Sequence, residues 1–154
     1  METTQINILG YREIEDLIEA NKIEELLQSY NEIFTVVHYY EQLLMASIIS
    51  TPNETDNTMK KLGACYSSLN RAYMMLDTLK QKKESEIFLT KKIELEKENK
   101  KIVAAVVERE VSAEVNVYRR VRNIFFAYKE SCDRIISICQ SSLKYSDHEI
   151  KMRA

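Results

Sequence analysis

A lone proline, Pro52, and two glycines, Gly10 and Gly63, are the only strong chain breakers in these 154 residues. So little punctuation leaves room for few connections, and therefore predicts few, long helices. Hydrophobic residues at 45% beside charged residues at 30% suit helical bundles or coiled coils and argue against a disordered chain. The expected fold class is all-α, a few long helices forming a bundle or coiled-coil oligomer.

Apolar spacing marks the helices. Tyr11, Ile14, Leu17 and Ile18 form a short amphipathic segment, after which Asn21 and Glu24 read as a capping pair that starts a second helix at Lys22. Ile23, Leu26, Leu27, Tyr30, Ile33, Phe34, Val37, Leu44 and Ile48 keep its apolar face running to the break at Ser50-Thr51-Pro52. There Thr51 can cap, Pro52 suits the first helical position and Glu54 answers the cap, so a third helix begins. Its Met59, Leu62, Tyr66, Leu69, Tyr73 and Leu76 alternate by three and four, a seam that calls for partner helices. Gly63 costs that helix about 1 kcal/mol relative to alanine, and close helix packing is the reason expected for it.

From Lys80 to Lys101 lysine and glutamate dominate, and the segment reads either as a continuous charged helix or as one broken near Ser85. Ile102, Val103, Val106 and Val107 resume an apolar face, with a short connection expected within Glu108 to Ser112. The strongest periodicity follows. Tyr118, Val121, Phe125, Tyr128, Cys132, Ile135 and Cys139 alternate by three and four through three heptads, and are expected to serve oligomerisation or bundle packing. No internal repeat or low-complexity tract accompanies these helices.

Charge divides the chain more sharply than any composition shift. The first 58 residues hold eleven carboxylates against Arg12 and Lys22, a net of −9, and the remainder holds 20 basic and 13 acidic residues, a net of +7. The division suggests an acidic helical segment over residues 1–50 and a basic long-helix region over 51–154, together one compact unit. The basic part suits a polyanion, while the acidic part is held off it, offered to a protein, or laid against the basic helices.

Chemistry is hard to find. His38 and His148 are far apart and neither has a second ligand at metal spacing, so no metal is expected. Cys132 and Cys139 lie roughly 10 Å apart along one helix, too far to bond to each other, and no nucleophile–base arrangement accompanies them. A phosphate-cradling glycine loop is also missing, which argues against an enzyme and against any cofactor. The first ten residues do not read as a secretion signal, no apolar run is long enough to span a membrane, and three cysteines form no C-x-x-C pair. A cytoplasmic protein is expected, in a host cytoplasm if the chain is viral.

What remains is the basic material. A run of lysines is commonly a solvated helix face, but Tyr66 and Tyr73 flank Arg71, and Phe88 lies between lysines, a mixture that suits single-stranded nucleic acid. A tyrosine in a helix seam cannot also stack on a base, so the contact candidates are Arg71, Lys80, Lys82, Lys83, Lys91 and Lys92.

Residues 69–152 resemble the UvsY-type recombination mediators of tailed phages. The resemblance rests on Leu69-Asn70-Arg71-Ala72-Tyr73, a charged connector, the run Ile102 to Val107 followed by acidic residues and Val111, and a last helix with Tyr118, Phe125, Tyr128, Ile135, Lys144 and Lys151. It implies an oligomeric helical protein that binds single-stranded DNA and helps load a recombinase, with Arg71 and Lys80 on the DNA and the last helix for self-association. The acidic first 50 residues depart from that family. The alternative expectation is a structural, scaffold or host-factor-binding adaptor, phage-encoded, that works by helix–helix contacts without nucleic acid.

Overall fold

The computed structural model describes residues 8–49, 51–99 and 103–153, with side chains as far as Tyr145; the expectations for Lys100, Lys101 and Ile102, and for the side chains of His148 and Lys151, fall outside that range. The fold is all-α. The described residues hold six helices: α1 (Tyr11–Glu19), α2 (Ile23–Ser29), α3 (Asn31–Met45), α4 (Pro52–Lys97), α5 (Ala104–Glu114) and α6 (Asn116–Arg153). No described helix is long and apolar enough to cross a membrane.

α4 sets the dimensions. Its 46 residues span about 69 Å. It begins where Thr51 closes a capping box with Glu54 and Pro52 occupies the first turn, as the sequence predicts. The charged stretch after Lys80 stays helical to Lys97 without a break at Ser85.

Cross-helix pairs give the direction of the return. Asp77 meets Arg122, Glu84 meets Arg119, and Lys91 meets Glu110 and Glu114, so α5 and α6 run antiparallel to α4. The joint between α5 and α6 is at Val115 rather than within Glu108 to Ser112. Val115 donates to the Val111 carbonyl and accepts from Arg119 N–H, so the chain bends there while its helical bonding continues.

The seam of α4 differs from the expected one at alternate positions. Thr55, Thr58, Leu62, Cys65, Leu69, Ala72, Leu76 and Leu79 are buried, whereas Met59, Tyr66 and Tyr73 are only half-covered at its edge. Small Cys65 and Ala72 let α6 approach closely. The two threonines enter the core because each hydroxyl is satisfied by its own helix, Thr55 donating to Thr51 O and Thr58 to Glu54 O. Gly63 does not serve close packing, since a Cβ there would meet no atom within 4 Å.

The acidic N-terminal helices join the same core. Ile14 and Ile18 of α1, Leu26 of α2, and Ile33, Phe34 and Val37 of α3 form one apolar cluster with α4 and α6. Asn21 ends α1 instead of capping α2: it takes a left-handed conformation (φ 56°), and the Lys22 and Asn21 amides close back on Leu17 O and Ile18 O. Ser47, also left-handed (φ 54°), ends α3 by the same device, well before Pro52. The expected single second helix is divided at Tyr30. Its fully buried ring meets Phe125 edge-on, with centroids 4.8 Å apart.

Candidate interaction surfaces

The body of the molecule, where α1 to α3 cover α4 and α6, differs from its far end. Past Glu84, which still meets Arg119 at the start of α6, the cross-helix ion pairs of α4 go to α5, and the two helices form an arm extending about 20 Å. Val107, Val111 and Val115 are buried in that arm but do not join the body's apolar cluster.

The lysines expected to meet nucleic acid have partners within the chain. Lys82 Nζ lies 2.7 Å from Glu15 of α1, and Lys83 Nζ lies 2.5 Å from Glu19 one turn further along the same helix. Glu86 is also within reach of both ammoniums. Lys80 pairs with Glu84 at 2.8 Å, Lys91 with Glu114 at 2.7 Å and Glu110 at 3.2 Å, and Lys92 stands 4.0 Å from Glu96. Arg71 differs: it is exposed and makes no ion pair among the described residues.

These pairings favour the charged form of the lysines. The hydrogen bonds from Lys82 to Glu15 and from Lys83 to Glu19 raise both lysine pKa values, and that to Lys83 holds Glu19 below the ordinary carboxylate value. Lys91 is raised by Glu114 first and Glu110 second. A phosphate approaching these lysines must therefore compete with carboxylates already in place.

Nor are the expected stacking rings free. Tyr66 and Tyr73 face the Lys129 ammonium at 5.8 and 5.3 Å, and Phe126 flanks it at 5.3 Å. Tyr73 and Tyr66 thus line the α4–α6 groove around a cation of the same chain.

The α6 seam has a partner in its own chain. Val121, Phe125, Cys132, Ile135 and Cys139 are buried in the common core, with Tyr118 and Tyr128 half-buried at its edge. The five buried side chains pack inside the chain's own core, chiefly against α3 and α4. The heptad rule found the contact surface but not whose helix fills it.

Apolar side chains are left open on the body, among them Met45, Ile48, Met74 and Ile138, and also on the arm. Leu89 (58% exposed), Ile93 (50%), Val103 (48%) and Val106 (54%) project from α4, the approach to α5, and α5 itself. A groove of about 610 Å³ runs between Phe88 and Leu89 on one bank and Val111 and Ser112 on the other, with Glu84, Glu108 and Arg119 at its rim. The α5 stretch was expected to present Val103, Val106 and Val107 on one apolar face. Only Val107 is covered, because the buried row is Val107, Val111 and Val115.

Among the described residues, polar chemistry does not gather elsewhere. His38 is exposed, with its Nδ1 3.5 Å from Glu41, and among the described residues no group of three or more His, Cys, Asp or Glu is placed to hold a metal. Burial raises the pKa of Cys65 and Cys139 and pushes Cys132 up to about 12.

No protein-family model, curated protein or solved structure matches this chain.

Proposed function

We propose that this protein is a non-catalytic helical adaptor that engages a helix of another chain through the α4–α5 arm. One observation carries the reading: Leu89, Ile93, Val103 and Val106 are 48–58% exposed on an arm outside the body's apolar cluster, with Leu89 lining the groove beside Val111, and Val103 and Val106 lining a second groove with Leu95 and Val107. A groove between two helices accepts the apolar face of a third at positions spaced by three and four, so the arm is suited to helix-in-groove recognition.

The family resemblance, which rests on the quoted residues alone, supports a second reading, a single-strand-binding mediator that works with a recombinase. Exposed, unpaired Arg71 favours it. The carboxylates on Lys80, Lys82, Lys83, Lys91 and Lys92 weigh against it, because a polyanion binds by displacing counterions from a free cationic track.

A second copy is the first partner to try. Sedimentation equilibrium across a concentration series should show association that Leu89→Glu with Ile93→Glu abolishes while helical circular dichroism is kept. The same series with a labelled oligonucleotide separates the readings. A chain that stays solitary and binds the oligonucleotide with a steep salt dependence would replace the adaptor reading by the mediator one.

A further inference from the structure

Glu15 and Glu19 project from one face of α1, one turn apart, and meet consecutive lysines of α4. The Glu15–Lys82 hydrogen bond joins residues 67 apart in sequence, so it is tertiary and not a by-product of helix spacing. Ile14 and Ile18 are buried beneath the same helix, with Tyr11 and Leu17 half-buried against the core, and the helix is short, nine residues preceded by Gly10 and ended by the left-handed Asn21. A short helix fixed by four apolar side chains, only two of them buried, and two ion pairs is a unit that opens locally at lower cost than the whole fold.

The local charge changes sign with that opening. With α1 docked, Glu15, Glu19 and Glu86 face Lys82 and Lys83, three carboxylates against two ammoniums. With α1 withdrawn, only Glu86 remains against the two. The Tyr118 ring, close enough for its hydroxyl to feel the charges on Lys83 and Glu19, borders the same place. A groove of about 680 Å³ continues from Lys83 past Tyr118 to Lys91, with Glu86, Glu94 and Glu114 also on its walls, so the cationic site itself is confined to Lys82 and Lys83.

We propose that α1 is a releasable strap whose Glu15 and Glu19 carboxylates occupy, on Lys82 and Lys83, the places that the phosphates of a linear polyanion take when the strap opens. The surface differs from the arm groove and does not depend on the adaptor reading. It also gives the charge division a mechanical meaning: the acidic part of the chain competes for the basic part. Nucleic acid and inorganic polyphosphate share the chemistry required, and the experiment separates them.

Anisotropy of labelled oligothymidylate, alone and in competition with inorganic polyphosphate, is measured for the full chain, for Glu15→Gln with Glu19→Gln, and for that double variant carrying Lys82→Gln and Lys83→Gln as well. The double variant should bind about tenfold tighter than wild type, with affinity falling as salt rises, and the added lysine changes should remove the gain. Competition by polyphosphate assigns the site to phosphate chains in general, and its failure to compete assigns it to nucleic acid. No gain in the double variant, or a gain indifferent to Lys82 and Lys83, would overturn the strap. Hydrogen exchange on the wild-type chain decides independently of any variant. Saturating polyanion should speed exchange at the α1 amides while α3 stays protected, and unchanged α1 exchange would equally end the proposal.

Discussion

Phe34 of α3 and Tyr128 of α6 stack with ring centroids 4.2 Å apart and planes inclined by 25°. Beside them the Phe125 ring meets Phe34 at 5.4 Å and Tyr30 at 4.8 Å, both edge-on. Four rings, from α3, α6 and the joint between α2 and α3, therefore lock the acidic N-terminal helices to the seam of α6. The contact explains why that seam is used within the chain, since each aromatic pair adds roughly 0.5–1.5 kcal/mol beyond its buried area.

Phe125→Ala should remove about 3–5 kcal/mol of stability, because the side chain is fully buried and its neighbours cannot collapse around the space left. Urea unfolding gives the test, and the loss should be the same at every protein concentration. A loss that appears only in dilute solution would mean that α6 packs against another copy. Tyr145→Ala, at a residue 69% exposed on the same helix, should leave the midpoint unchanged.

Gly63→Ala should stabilise the chain by about 1 kcal/mol, since alanine is the better helix former and its Cβ enters open space. A thermal melt shows this as a higher midpoint. If the variant melts lower, something fills that space in solution, and the α4 surface around Gly63 is an interface.

Ser47→Gly tests the end of α3. A side chain in the left-handed region costs roughly 1–2 kcal/mol that glycine does not, while the amides closing on Leu44 O and Leu43 O are unaffected by the change. The variant should therefore raise the urea midpoint. Asn21→Gly should do less, because asparagine already tolerates that conformation.

How far the residues themselves announce this structure depends on the kind of signal. Thr51-Pro52 with Glu54 is local chemistry, and α4 begins where that chemistry puts it. Heptad spacing located the seams of α4 and α6, but on α4 it favoured large Tyr66 and Tyr73 over small Cys65 and Ala72. Close approach of two helices rewards the smaller side chains, and no single-helix pattern contains that information. Asn21 was ambiguous in principle, because the same side chain suits a helix start and a left-handed stop. Val115 carries no breaker at all, so the bend there follows from how α5 and α6 each meet α4. The lysine track was visible, but its pairing with Glu15 and Glu19 is a tertiary relationship that spacing along the chain does not encode.

Burial of Cys132 makes the last prediction. Desolvation is the largest cause of its shift, so the thiol stays protonated in the fold until the pH approaches about 12, against an ordinary value of 9.0. The sign follows from proton binding. Between those two values the unfolded chain has released this proton and the folded chain has not, so stability is complete below the ordinary thiol value and falls as pH rises above it. Cys65 and Cys139, both raised by burial, act in the same direction. Urea midpoints should therefore decline above pH 9, and Cys132→Ser, which places a hydroxyl in the same buried site, should lessen the slope while lowering stability at neutral pH. Reaction with a disulfide reagent at pH 8 gives the second readout: all three thiols are buried and should react only as fast as the chain opens, then at once in denaturant. Rapid modification of Cys132 in the native protein would mean that α4 and α6 part there far more readily than their packing implies.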